Sequence, residues 1–179
     1  SGKTLGLVGG GRIAQAVAQR AAGFGMRLIY TAHRPRRDFE ARTGARFMEK
    51  NALLATADFV SLHVPLTTET RHYIGRRELE IMPRHAILIN TARGPVVDED
   101  ALAAALQKGD IAGAGLDVFE REPQIHPGLR DLPNVLLTPH KGATTMDGFI
   151  SMGNSCAEKI FAALDGRVPP DCLNPEARQ

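Results

Sequence analysis

Short, wholly apolar runs alternate along the chain with stretches whose apolar residues recur at helical spacing. Thr4–Gly9 (TLGLVG), Arg27–Thr31 (RLIYT), Phe59–Val64, Ala86–Asn90 (AILIN), Ala112–Val118 and Val135–Thr138 each predict a strand. Between them, Arg12–Phe24 carries Ile13, Ala16, Val17 and Ala21 on one helical face, with Gly23 and Gly25 at its end. Asp38 is expected to cap a short helix reaching Thr43, followed by Gly44, and Leu53–Ala57 leads into the third strand, which Pro65 stops. Asp98 predicts a further N-cap, for a helix that turns Leu102, Ala105 and Leu106 inward and ends at Gly109. A last helix runs from about Thr145 to Leu164, with Ile150, Ala157, Ile160 and Leu164 on one side. Strands apolar on both faces need helices over both faces, so the pattern predicts an α/β fold with a doubly wound parallel sheet.

The junction between the first strand and first helix narrows that class. Gly9-Gly10-Gly11-Arg12-Ile13-Ala14 matches G-x-G-x-x-A at the place where a dinucleotide-binding, Rossmann-type domain puts its phosphate loop. Gly9 permits the tight turn, Gly11 leaves room for a pyrophosphate, and Ala14 lets helix and strand approach. The helix N-terminus then offers free N–H groups and partial positive charge to phosphate. Residues 1–166 are expected to form this domain. Residues 167–179, with Val168-Pro169-Pro170, are expected to leave it.

The end of the second strand bears on which dinucleotide binds. An NAD site usually places an acid there to hold the ribose hydroxyls. Here Tyr30-Thr31-Ala32 is followed by His33-Arg34-Pro35-Arg36-Arg37, and no acid precedes Asp38. Guanidinium groups hold a 2′-phosphate where a carboxylate would repel it. NADP is therefore expected over NAD, with His33 and Arg34 as contacts.

Composition adds mainly exclusions. Lys plus Arg number 22 against 20 Asp plus Glu, too even a balance for nucleic acid to be a main partner. No apolar run reaches the length of a membrane span. Cys156 and Cys172 are too few for a disulfide framework and suit free thiols in a reducing cytoplasm. The chain starts at Ser1 directly ahead of a strand, which reads as a cut chain.

Three segments following predicted strands carry candidate chemistry. Arg93, in Asn90-Thr91-Ala92-Arg93-Gly94, can grip a carboxylate with a planar fork and polarise an adjacent carbonyl. Asp117 ends an otherwise apolar strand and needs a partner, for which a nicotinamide amide is suited; Glu122 lies five residues on. His140, placed by Pro139, has the intrinsic pKa to give and take a proton near neutrality, and a neighbouring carboxylate would stabilise its protonated form.

TLGLVGGGRIA, HVPLTTET, AILINTARGPVVDEDAL, GAGLDVFEREP and NVLLTPHKGA, in this order, resemble the successive signatures of the D-isomer-specific 2-hydroxyacid dehydrogenases. The resemblance covers nearly the whole chain. The basic turn after the second strand is most similar to that of the NADP-using glyoxylate/hydroxypyruvate reductases. It implies hydride transfer between NAD(P)H and a small 2-oxo acid or D-2-hydroxy acid. Arg93 is then the carboxylate anchor, His140 the acid/base and Glu122 its partner. Asp117 becomes a nicotinamide contact, and Arg12, Ile13, Pro65, Thr91 and Gly142 become cofactor contacts. It also implies a homodimer, and a substrate domain drawn from an N-terminal portion and the extreme C-terminus, most of which this chain is expected to lack. The rival is a catalytically silent, dinucleotide-sensing or dimerising module of the corepressor type, against which Arg93, Glu122 and His140 weigh. Formate dehydrogenases pair the histidine with glutamine, so Glu122 argues against that branch.

Some residues depart from the family pattern. Ala14 replaces the commoner third glycine, Ala32 stands where NAD-using members carry Asp, and Lys141 follows the histidine where an apolar residue is usual. Lys141 either meets an acidic substrate or points outward. His63 is read as a structural histidine at the edge of the cofactor cleft. His72, His85 and His126 lack metal-ligand spacing, so no metal is expected. Ser61 and Ser151 have no companion base for hydrolase chemistry.

Overall fold

The computed structural model describes residues 2–169 and 171–178. They form two compact units, one ending at His140 and the other beginning at Lys141.

In chain order the first unit contains β1 (Thr4–Val8), α1 (Arg12–Ala22), β2 (Arg27–Thr31), α2 (Arg37–Thr43), β3 (Arg46–Phe47), α3 (Lys50–Thr56) and β4 (Phe59–Leu62). It continues with α4 (Arg76–Ile81), β5 (Ile87–Asn90), α5 (Glu99–Lys108), β6 (Gly113–Leu116), α6 (Pro127–Arg130) and β7 (Val135–Leu137). The strands pair in parallel in the order β3-β2-β1-β4-β5-β6-β7. β1 is buried at all of its positions, as a central parallel strand must be. Its flanks belong to different cores: Leu7, Ala14, Ala18, Tyr30 and Phe39 form one, and Leu53, Leu54, Leu62, Leu88, Leu102 and Ile111 belong to the other. Each fully buried leucine contributes about 1.5–3 kcal/mol, so the sheet is held from both faces.

From β1 the chain builds outward to β2 and β3, then crosses back to β4 on β1's other side. That reversal opens a crevice beyond the C-terminal ends of β1 and β4, where open parallel sheets bind their ligands.

The six strands expected from the pattern are present, β2 with the expected bounds and the other five trimmed at one or both ends by one or two residues. Asp98 caps α5 by accepting from the Ala101 N–H at 3.0 Å, and Gly109 closes that helix in the left-handed region. Leu102, Ala105 and Leu106 face inward. Asp38, by contrast, is not an N-cap. Arg36 holds that position without a side-chain cap, and Asp38 sits in the first turn, 2.7 Å from the Arg36 guanidinium. A fixed cation outcompetes a backbone N–H for the carboxylate. β3, α4 and α6 are too short to show a period, and Leu53–Ala57 turns out to be mostly the helix α3.

The second unit is led by α7 (Met146–Leu164), capped by Thr145 accepting from the Gly148 N–H at 3.0 Å. None of its residues is buried, and Ile150, Ile160 and Leu164 are each more than half exposed. Pro170, in the Pro-rich stretch expected to leave the domain, lies outside the described residues. No helix among the described residues is long and apolar enough to cross a membrane.

Candidate active site

The loop after β1 turns at Gly9, whose φ of 113° is open to glycine but rarely to other residues. A Cβ there would also lie 2.5 Å from the His63 carbonyl oxygen, so the loops after β1 and β4 touch backbone to backbone. Gly11 is the residue before α1, with no side-chain cap and nothing within 4 Å of the position its Cβ would take. Arg12 and Ile13 open the helix and are exposed. An 11-residue helix thus points uncapped N–H groups into open space, a cradle that fits the pyrophosphate of a dinucleotide.

Around that cradle lies a cleft of about 1250 Å³. Gly9, Gly11, His33, Arg34 and Pro65 line it, as do Arg36 and Arg37. One guanidinium there was not singled out by the sequence reading. Arg36 Nη1 donates to the Gly10 carbonyl at 2.8 Å, Asp38 holds its other face, and its backbone N–H donates to the Tyr30 hydroxyl at 2.6 Å. The residue therefore ties the basic turn to the phosphate loop. Asp38, a carboxylate two residues on, was the available signal. His63 both lines the cleft and is satisfied structurally, with its Nε2 3.0 Å from Ser61 Oγ. Burial pushes its pKa down to about 4, so it is neutral at physiological pH.

The remaining candidates of the first unit follow β5, β6 and β7, outside the lining of that cleft. Thr91 is exposed immediately after β5. Asp117 is buried just after β6, where the Thr138 hydroxyl donates to its carboxylate. Its carbonyl accepts from the His140 N–H at 2.9 Å, which ties the loop after β7 to the end of β6. His140 has a φ of 53°, a left-handed conformation uncommon for a side-chain-bearing residue. Gly142 belongs to the second unit.

The imidazole of His140 places Nδ1 2.9 Å from Glu122 Oε2. The other carboxylate oxygen accepts from the Phe119 N–H at 3.1 Å. The histidine contact holds the Glu122 carboxyl below the usual range, helped by Phe119 and by the charge of Arg93, against the cost of partial burial. An ionised carboxylate can only accept, so Nδ1 carries a proton and Nε2 is the ring nitrogen left for chemistry. Arg93 is exposed at the turn after β5, its Nη1 donating to the Ala92 carbonyl at 2.6 Å. Sequence motifs pointed to these three groups. They did not point to Glu99 and Glu120, which exchange hydrogen bonds between these loops. Among the described residues, no group of three or more His, Cys, Asp or Glu side chains is placed to hold a metal ion.

A switch-point crevice and a glycine cradle at a helix N-terminus define a dinucleotide-binding domain of the doubly wound class. Residues 1–142 match the family described as D-isomer specific 2-hydroxyacid dehydrogenase, NAD binding domain, and the chain belongs to that family. It is 50% identical over 173 residues to a glyoxylate reductase of Thermococcus litoralis, covering 97% of this chain and 52% of that protein. It is 49% identical over 176 residues to a glyoxylate/hydroxypyruvate reductase B of Pectobacterium carotovorum, covering 97% of this chain and 55% of that one. The NAD-complexed D-isomer specific 2-hydroxyacid dehydrogenase of Lactobacillus delbrueckii ssp. bulgaricus superposes with a TM-score of 0.89 at 34% identity, over 96% of this chain and 56% of that chain. The chain thus spans about half the length of the curated relatives it matches.

Proposed function

We propose that this chain is the cofactor-binding half of a reductase that converts a small 2-oxo acid, such as glyoxylate or hydroxypyruvate, to its D-2-hydroxy acid. The observation that carries the reading is the 2.9 Å contact between His140 and Glu122 with Arg93 close enough to bias the same carboxylate. The reductase names of the relatives at about 50% identity favour an enzyme over a silent sensing module.

Gly9, Gly11, Arg12, Ile13, Pro65, Thr91 and Asp117 would hold the dinucleotide, which when bound supplies the hydride to the substrate carbonyl carbon. Arg93 grips the substrate carboxylate and draws electron density from the neighbouring carbonyl. Glu122 keeps the imidazole of His140 in one orientation by accepting from its Nδ1. His140 would then give its Nε2 proton to the carbonyl oxygen, which stays on its carbon as the neutral hydroxyl of the product. In the reverse direction the same nitrogen takes the proton back.

The basic turn supports NADP over NAD: His33 and Arg34 line the cleft with Arg36 and Arg37, and no acidic residue lies between Thr31 and Arg37. We further read residues 1–166 as the cofactor domain and 167–179 as the return toward a substrate domain. A homodimer rests on the family resemblance, and a cytoplasmic setting on two free thiols.

The test is a spectrophotometric assay of the enzyme with a complete substrate domain, using NADPH and NADH with a panel of 2-oxo acids. Glyoxylate and hydroxypyruvate should be reduced, with NADPH preferred. Cofactor binding without oxidation on any 2-oxo acid would return the corepressor-type reading.

A further inference from the structure

Three segments distant in sequence meet beside the loops that carry Arg93 and Glu122. A Cβ on Gly94 would fall 1.9 Å from the carbonyl carbon of Phe119, so these two backbones are in direct contact. Two carboxylates then lace the same segments together. The Glu99 N–H donates to Glu120 Oε1 at 3.0 Å, and the Glu120 N–H donates to Glu99 Oε1 at 2.9 Å. The second oxygen of Glu120 lies 3.1 Å from His72 Nε2. His72 in turn donates its backbone N–H to the Pro95 carbonyl at 2.8 Å, and the Ile74 N–H donates to Val96 at 3.1 Å. Glu99 is the first residue of α5, and its side chain is among the few charged groups buried in the chain.

This arrangement has a cost that a purely mechanical join would not need. Burial, and then the neighbouring Glu120 charge, push the Glu99 carboxyl upward, although the Glu120 N–H works the other way. What the pair achieves is a fixed relation between two loops. Arg93 immediately precedes the segment that starts α5, and Glu122 takes one of its two anchors from the Phe119 N–H, one residue before the laced peptide.

We propose that Glu99 and Glu120 are positioning residues, a reciprocal carboxylate clamp that sets the Arg93 guanidinium in register with the Glu122–His140 pair. The proposal rests on the reading of that site as a 2-oxo acid reductase centre. The clamp works through its acceptor oxygens rather than its charge, so glutamine should replace Glu99 and alanine should not.

The experiment pairs NMR titration of the ¹³C-labelled glutamate carboxyls in this chain with kinetics of the complete enzyme. Glu99→Ala should release Glu122 upward, toward its ordinary carboxyl range. It should lower kcat/KM for glyoxylate about tenfold and leave the KM for NADPH unchanged. Glu99→Gln should restore both. Should Glu99→Ala fail to fold, Glu120→Ala at a partly exposed position removes the opposite half of the clamp and reads the same titration. An unmoved Glu122 in the alanine variants, or a Glu99→Gln enzyme as impaired as Glu99→Ala, overturns the clamp. A shifted Glu122 in an enzyme inert toward every 2-oxo acid upholds the clamp and overturns the reductase reading instead.

Discussion

Gly94 and Phe119 touch through their main chains: a methyl group added to Gly94 would overlap the Phe119 carbonyl at 1.9 Å. Neither neighbour can yield as a flexible side chain would, because both sides of the contact are backbone. Gly94→Ala must therefore push the Arg93 turn away from the loop that carries Glu122. The expected result is a loss of about 1–3 kcal/mol in stability, read as a lowered Tm. A fall in kcat/KM of at least about tenfold should accompany it, because a small displacement of reacting groups is costly. An alanine variant with the parent's Tm and rate would show that this approach has no functional weight.

Removing the proposed acid/base should have a different signature. His140→Ala should lower kcat by about 10²–10⁴-fold while cofactor affinity, measured by fluorescence titration, stays near that of the parent. If Arg93 has its proposed role, Arg93→Ala should raise KM for the 2-oxo acid as well as lower kcat, because one guanidinium would both bind the carboxylate and polarise the carbonyl. Near-normal turnover in either variant would refute the roles assigned to these residues.

Cofactor choice is testable at the basic turn. Arg34→Ala should raise KM for NADPH by about tenfold and leave KM for NADH nearly unchanged, the loss expected for one charge-assisted contact to a 2′-phosphate. Equal effects on both cofactors would reduce Arg34 to a solvated charge.

Far from the candidate site, acid stability should depend on Asp58. Its carboxylate lies 2.9 Å from Lys3 Nζ and accepts from the Thr4 N–H at 2.7 Å, with His85 close by. The Lys3 contact, then the Thr4 N–H, hold its pKa down at about 2. The folded value is below the unfolded value of about 3.9, so the stabilisation is present above pH 4 and drains away as pH falls toward 2. Asp58→Asn should therefore lower Tm at pH 6. The gap from the parent should close as both are titrated toward pH 2, with circular dichroism melts as the readout. A gap independent of pH would mean that packing rather than ionisation is at stake.

Much of this molecule could be read from local pattern. The strands, the glycine loop at Gly9–Gly11, the Asp98 cap and the Gly109 stop are each written in a few adjacent residues, because periodicity and capping act over one or two turns. Arg93, Glu122 and His140 drew attention for their chemistry and for their positions after apolar runs, and family resemblance supplied the pairing of Glu122 with His140. Asp38 shows the limit of local reading: it has the side chain of a cap, but Arg36 claims its carboxylate.

What the tertiary structure alone decided is which distant groups meet. Arg36 reaches Gly10 across 26 positions, Lys3 reaches Asp58 across 55, and Glu99 and Glu120 exchange hydrogen bonds across 21. Such contacts leave no period in the sequence, since a hydrogen bond constrains the distance between two atoms and says nothing about the residues between them. The chain's own pattern determines the parallel sheet and the loops at its C-terminal edge. Only the folded sheet, by ordering its strands 3-2-1-4-5-6-7, brings those loops close enough for one carboxylate to meet a histidine, a backbone amide and the field of an arginine.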